Sequence, residues 1–215
     1  MPFVHALALL SFLMGTMPPQ AGRIHGTVVC EGTSEPVPGV RISAGGLRTV
    51  TDGDGHFTLD NAPVGSTSVR AQRNGYFGPA VNGEFTNVAV VPVVIKPSEP
   101  ATIKIVLVRA GGISGKIFDS SGSPLYDSVV GGLRIVYKNG ARTVEVVGAK
   151  PSGRSGEYRL YPLPPGEYYV GVAPSTNSEL TTLYPGTMSL NAASRILVGS
   201  AQEIVGIDIH TQAGK

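Results

Sequence analysis

Gly55-His56-Phe57-Thr58-Leu59, closed by Ala62-Pro63-Val64-Gly65, returns 101 positions later as Gly156-Glu157-Tyr158-Arg159-Leu160 closed by Pro164-Pro165-Gly166. In each copy the aromatic residue and the leucine two positions on face the same way, the period of a half-buried strand. A glycine ahead of the strand and a Pro-x-Gly behind it are turn signals, so each copy reads as a strand bounded by bends set by backbone chemistry. The offset holds without a gap through Pro63/Pro164, Gly65/Gly166 and Val69/Val170.

The repeat extends in both directions. Ile24-His25-Gly26-Thr27-Val28 matches Ile113-Ser114-Gly115-Lys116-Ile117 at an offset of 89, and Ile103, Ile105 and Leu107 align with Val205, Ile207 and Ile209 at an offset of 102. The chain is therefore a tandem duplication of a unit of about 90 to 100 residues. The offset grows where Leu133-Arg134-Ile135-Val136-Tyr137-Lys138 meets Ala141-Arg142-Thr143-Val144-Glu145-Val146 across Asn139-Gly140. Asn-Gly between alternating segments is a strong hairpin signal, so the second copy is expected to carry a longer hairpin at 133–146. In Tyr168-Tyr169-Val170-Gly171-Val172 the alternation puts Tyr168, Val170 and Val172 on one face and Tyr169 on the other. Ala110-Gly111-Gly112 reads as a very short linker. The expected organisation is a leader over 1–22, one β-sandwich over 23–110 and a second over 111–215.

Composition agrees with that reading. Among 215 residues, 29 glycines and 17 prolines make up about a fifth of the chain, against roughly 12% on average, which argues against long helices. Charged residues are 15% and apolar residues 41%, enough apolar content for a core and too little for a membrane protein. Seventeen basic side chains face fifteen acidic ones and divide evenly between the two copies. Neither half carries the field that nucleic acid requires, and nucleic acid is excluded as a partner.

Phe3 to Met14 is a nearly unbroken apolar run, followed by Gly15, Pro18-Pro19 and Ala21-Gly22. It is too short to span a bilayer, which takes about 20 residues. Its length and small-residue ending suit a secretory signal peptide cleaved near Ala21, although the first basic side chain comes only at Arg23. A secreted, periplasmic or cell-surface protein with no membrane span after leader removal is expected. Cys30 is the single cysteine, so no intramolecular disulfide forms, and a half-buried strand cysteine is expected.

The order Ile-x-Gly-x-Val at 24–28, Pro-Val-Pro-Gly-Val-Arg-Ile at 36–42, Thr-Asp-Gly-Asp-Gly-His-Phe-Thr-Leu at 51–59 and Ala-Pro-Val-Gly at 62–65 resembles the carboxypeptidase regulatory-like family. The second copy repeats that grammar at 156–160 and 163–168. It departs where Ser123-Pro124-Leu125-Tyr126-Asp127 stands in place of the usual proline and glycine pattern, which puts the geometry of that bend in question. The resemblance implies an all-β fold of two tandem seven-stranded Greek-key, prealbumin-like sandwiches after an N-terminal signal helix, grouped with carbohydrate-binding-like folds. The fold class itself carries little functional information.

The family name invites a peptidase reading that the residues do not support. Zinc hydrolases need His and Glu at close spacing, whereas His5, His25, His56 and His210 are isolated. Asp52-Gly53-Asp54-Gly55 lacks the glycine and the closing Glu of an EF-hand loop and reads as a hairpin turn. No nucleophile elbow, phosphate-binding loop or dinucleotide fingerprint is present. No catalytic, metal or cofactor residue is assigned. A binding role needs exposed aromatic faces that stack on sugar rings, with polar neighbours. With no Trp in the chain, the candidates are Tyr76 and Phe77 in a Gly/Pro-rich loop, Tyr161 after its strand, outward-facing Tyr169, and Tyr184 beside Pro185. The expectation is an exported non-catalytic module for carbohydrate binding or adhesion at the cell surface, with a polysaccharide or a surface protein as partner, or else a structural spacer or accessory domains of a secreted enzyme or outer-membrane system.

Overall fold

The computed structural model describes residues 21–138, 140–173 and 182–212. The expected signal helix lies almost wholly outside them. Ala21 and Gly22 already belong to the first strand, where they pair with Pro63 and Ala62.

The first copy contributes β1 (Ala21–Cys30), β2 (Arg41–Ala44), β3 (Leu47–Val50), β4 (His56–Pro63), β5 (Gly65–Gln72), β6 (Tyr76–Phe77), β7 (Ala89–Ile95) and β8 (Ala101–Arg109). They form two sheets, β4-β1-β8-β6 and β3-β2-β5-β7. Seven of these are the strands the resemblance implies, and β6 is an additional two-residue strand. β1 lies between antiparallel β4 and parallel β8, a Greek-key arrangement in which first and last strands are neighbours. Alternation decides which residues the sheets enclose: Ile24, Val28, Ile42, Leu59, Val69, Ile95, Ile105 and Leu107 are all at most 3% exposed and fill the space between them. Cys30 joins this core as a buried free thiol.

The second copy contributes β9 (Gly111–Phe118), β10 (Val129–Lys138), β11 (Ala141–Pro151), β12 (Glu157–Leu163), β13 (Gly166–Ala173), β14 (Thr182–Leu183), β15 (Ile196–Val198), β16 (Glu203–Ile204) and β17 (Ile209–His210). One sheet runs β11-β10-β13-β14 with β15 on β13, and the other joins β12, β9 and β16, with β17 also on β9. Ile113, Ile117, Val130, Leu160, Leu163, Tyr168, Val170 and Ile209 form its core. β10 and β11 pair from Val129↔Pro151 to Lys138↔Ala141, a far longer ribbon than β2 and β3 make.

The repeated turn chemistry has the same cause in both copies. Gly55 and Gly156 sit at φ +74° and +73°, where a Cβ would lie 2.5 Å from the Val28 and Ile117 carbonyl oxygens. Only glycine satisfies both conditions. A buried hydroxyl is repeated too. Thr51 Oγ1 accepts from the Val40 N–H at 2.9 Å and donates to the Val37 carbonyl at 2.8 Å, while Ser152 Oγ accepts from Ser128 N–H and donates to the Leu125 carbonyl. This tether holds the bend that the sequence left in question. Asp127 takes φ +54° where the first copy has Gly39 at +68°, and its N–H donates to Ser152 as Gly39 does to Thr51. Asp tolerates the left-handed region better than most residues, so the bend survives the loss of glycine.

At the closing strand the register departs from the sequence alignment. Val28 faces Ile105, whereas the equivalent Ile117 faces Ile209, so the offset there is 104 and not 102. An irregularity between β16 and β17 accounts for the difference: Gly206 turns at φ +75° and Val205 projects outward, 70% exposed. β6 and β14 also differ, since β6 extends the sheet at β8 while β14 joins β13 in the opposite sheet.

Candidate functional site

The site follows from how one sandwich leads into the next. Only Ala110 separates β8 from β9. Arg109, at the end of β8, pairs with Tyr76 on β6, and Gly111, at the start of β9, pairs with Leu163 on β12. The loop before β6 is tied to the junction by the Ala110 N–H donating to the Gly75 carbonyl at 2.9 Å. These pairings carry Tyr76 and Tyr161 to the same place, although 85 residues separate them in sequence.

The resulting cleft has a volume of about 440 Å³ and is lined by Gln72, Arg73, Asn74, Tyr76, Asn87, Tyr161 and Pro162, together with Gly75. The Tyr161 hydroxyl lies so close to Gly75 that a side chain at 75 would collide with it. One face of each ring is taken by a guanidinium: Arg73 sits 5.1 Å from the Tyr76 centroid and Arg159 4.4 Å from that of Tyr161. Arg159 is itself held by a two-pronged pair with Glu203 at 2.9 and 3.0 Å, and those hydrogen bonds raise its pKa. The Tyr161 ring is thus positioned from behind by a fixed cation. Three carboxamides and two phenols can donate and accept hydrogen bonds, and among the described residues no carboxylate lines the cleft.

The other candidates have structural roles. Phe77 is only 7% exposed and packs with Val108, Ala110 and Phe85, its ring edge-on to Phe85 at 6.3 Å. Tyr169 does lie opposite Tyr168, on the outer face of its sheet, but it is only 9% exposed because Leu183, Leu190 and Ala193 cover that face beside Leu133 and Ile135. Tyr184 is half-buried against the second core, with its N–H donating to Val170 and its carbonyl accepting from Ser194. Gln72, Asn74 and Asn87 of the cleft carry no local signal, because each is an ordinary polar residue at a strand end or loop. A wider groove of about 620 Å³ on the second sandwich is lined by Tyr137, Arg142, Glu167, Asn191 and Arg195, with only the edge of Tyr169 showing. Tyr137, 72% exposed, is its only open ring.

No set of three or more His, Cys, Asp or Glu side chains suited to a metal occurs among the described residues. The carboxylate of Asp52 is occupied in its own turn, accepting from the N–H groups of Asp54 and His56. The His25 ring contacts the Thr58 hydroxyl at 3.1 Å, and the His210 ring stacks on Phe118 at 4.9 Å. No described helix is long and apolar enough to cross a membrane.

Residues 23–108 match the carboxypeptidase regulatory-like domain family. The regulatory-like domain thus coincides with strands β1 to β8 and supplies Gln72, Arg73, Asn74, Tyr76 and Asn87 to the cleft. No curated protein matches the chain in sequence. Among solved structures the chain is similar to the Bacillus anthracis TIE protein, with 16% identity over 90% of this chain and 34% of that one and a TM-score of 0.38. It is also similar to the Streptococcal ancillary pilin, with 16% identity over 89% and 63% and a TM-score of 0.41. A third is GBS52, the minor pilin of Streptococcus agalactiae, with 15% identity over 89% and 97% and a TM-score of 0.45. The chain spans about a third of the length of the first of these and 63% of the second. All three TM-scores lie below 0.5, and the sandwich assignment rests on the strand pairings above.

Proposed function

We propose that the protein is an exported, non-catalytic glycan-binding module whose ligand sits in the cleft between the two sandwiches, residues 23–110 and 111–215 forming its two units. The observation that carries this reading is the meeting of Tyr76 and Tyr161 with Gln72, Asn74 and Asn87 around one cleft of about 440 Å³. Ligand sites favour such junctions, and this volume suits a mono- or disaccharide. Each tyrosine keeps one ring face for the apolar face of a sugar, and the carboxamides match its hydroxyl groups. The N-terminal apolar run supports export. Calorimetric titration of the full chain with a panel of neutral oligosaccharides tests the proposal. Tyr161→Ala and Tyr76→Ala, checked for folding by circular dichroism, should each weaken binding roughly five- to tenfold, the loss of one stacking contact. Wild-type affinity in both variants refutes it.

A second reading, a rigid spacer, is favoured by the contacts at the junction. The Arg109 carbonyl accepts from the Ala201 N–H at 3.2 Å and from the Ser200 hydroxyl at 3.2 Å, and the Tyr161 hydroxyl rests on Gly75. X-ray scattering that requires freely tumbling halves would rule it out.

A further inference from the structure

The outer face of the β3-β2-β5-β7 sheet carries a feature that the junction cleft does not use. Register places Arg48 opposite Ser43, and Ser43 opposite Arg70, in one row across three strands. Arg41, two residues before Ser43, is the diagonal neighbour of both arginines. Strand spacing puts the Arg48 and Arg70 backbones roughly 10 Å apart, and Arg41 about 7–8 Å from each. All three side chains are exposed. Together with Ser43, Thr49, Val50, Gln72 and Val88 they border a concavity of about 620 Å³, and among the described residues no carboxylate lines it. Among the described residues none of the three is in an ion pair, whereas Arg23, Arg159 and Arg195 pair with Asp60, Glu203 and Glu167.

Like charges at neighbouring positions on a sheet destabilise it, so the cluster does nothing for the fold. The second sandwich makes the same point as an internal comparison. Val130↔Val172 repeats Ile42↔Ala71, which sets Val129, Gly131 and Gly171 at the positions of Arg41, Ser43 and Arg70. There the face is covered by Leu183, Leu190 and Ala193. In the first sandwich β7 pairs with β5 along that edge and β6 pairs with β8 in the other sheet, and Arg41, Arg48 and Arg70 remain exposed on this face.

We propose that this arginine face is a second binding site, taking an acidic polysaccharide whose carboxylate or sulfate groups are spaced along the chain. Guanidinium groups pair with such anions in two-pronged fashion. The exposed side chains of Val50, Val90 and Val94 on the same face offer apolar contact to the ring faces between the anions. Single-stranded nucleic acid binds on aromatic platforms, and no aromatic residue lines this concavity. Three surface cations give only weak attraction to an anionic membrane.

The test is retention of the full chain by polygalacturonate, with a neutral glucan, single-stranded DNA and anionic phosphatidylserine vesicles as parallel probes. Wild-type protein should prefer polygalacturonate to DNA and vesicles, its polygalacturonate binding should weaken as salt rises, and any binding of the neutral glucan, which reports the cleft, should not. Arg41→Gln, Arg48→Gln and Arg70→Gln combined should cost about tenfold in affinity, roughly a half-kilocalorie contact three times over, and should leave the melting temperature unchanged or higher. Tyr76→Ala with Tyr161→Ala should leave polygalacturonate binding intact, which separates this site from the cleft. Equal polygalacturonate affinity in the triple variant, no binding of polygalacturonate by the wild type, or a preference for DNA or vesicles over polygalacturonate overturns the proposal.

Discussion

Replacing Thr51 by Val isolates the buried hydroxyl that both copies share. The two side chains have nearly the same shape, so packing is preserved while two hydrogen bonds are lost. The Val40 N–H and the Val37 carbonyl are left without their partner at positions 0% and 1% exposed. An unsatisfied buried group costs about 1–3 kcal/mol. The valine recovers part of this through apolar burial, and the net expectation is about 2–4 kcal/mol. For a unit of this size that corresponds to a fall of roughly 10–20 °C in melting temperature. Thr51→Ser keeps the hydroxyl and removes one methyl group, so it should cost about 1 kcal/mol. Urea unfolding followed by far-ultraviolet circular dichroism gives both numbers. Ser152→Ala, the same deletion in the second sandwich, should destabilise that half in the same direction. Thr51→Val costing no more than Thr51→Ser would refute the reasoning, because the methyl and not the hydroxyl would then hold the bend.

Two other outcomes follow from backbone conformation and burial. Gly55→Ala should lose about 2–4 kcal/mol through left-handed strain and collision with the Val28 carbonyl, while Gly53→Ala, with nothing within 4 Å, should stay within about 0.5 kcal/mol of wild type in the same urea experiment. Burial pushes the Tyr168 phenol up to about 12, above its unfolded value of about 10. The unfolded chain therefore loses that proton first, and this contribution to stability is complete below about pH 10 and disappears as pH rises towards 12. Melting temperatures across that window should fall less steeply in Tyr168→Phe than in wild type, and parallel slopes would contradict the assignment.

Much of the fold was legible because its instructions are local. Glycine before an aromatic-x-Leu strand and Pro-x-Gly after it act within a few residues, and the duplication states them twice. Where a rule was broken, at Asp127, a neighbouring hydroxyl and a residue tolerant of φ +54° kept the geometry. The closing strand misled because the irregularity at Val205 and Gly206 is set by pairing with β9, which alternation alone does not report. Tyr169 shows the same division: the period of two placed it opposite Tyr168, but its burial depends on a segment that returns from Leu183 to Ala193.

The sequence by itself determined two sandwiches, the turns that bound their strands, and the identity of the buried faces, since backbone sterics and side-chain alternation act at short range. Tertiary structure alone decided which polar and aromatic residues became neighbours. Tyr76 met Tyr161 because β8 passes almost directly into β9 and brings their partner strands together. The three arginines gathered because strands β2, β3 and β5 pair in a particular register.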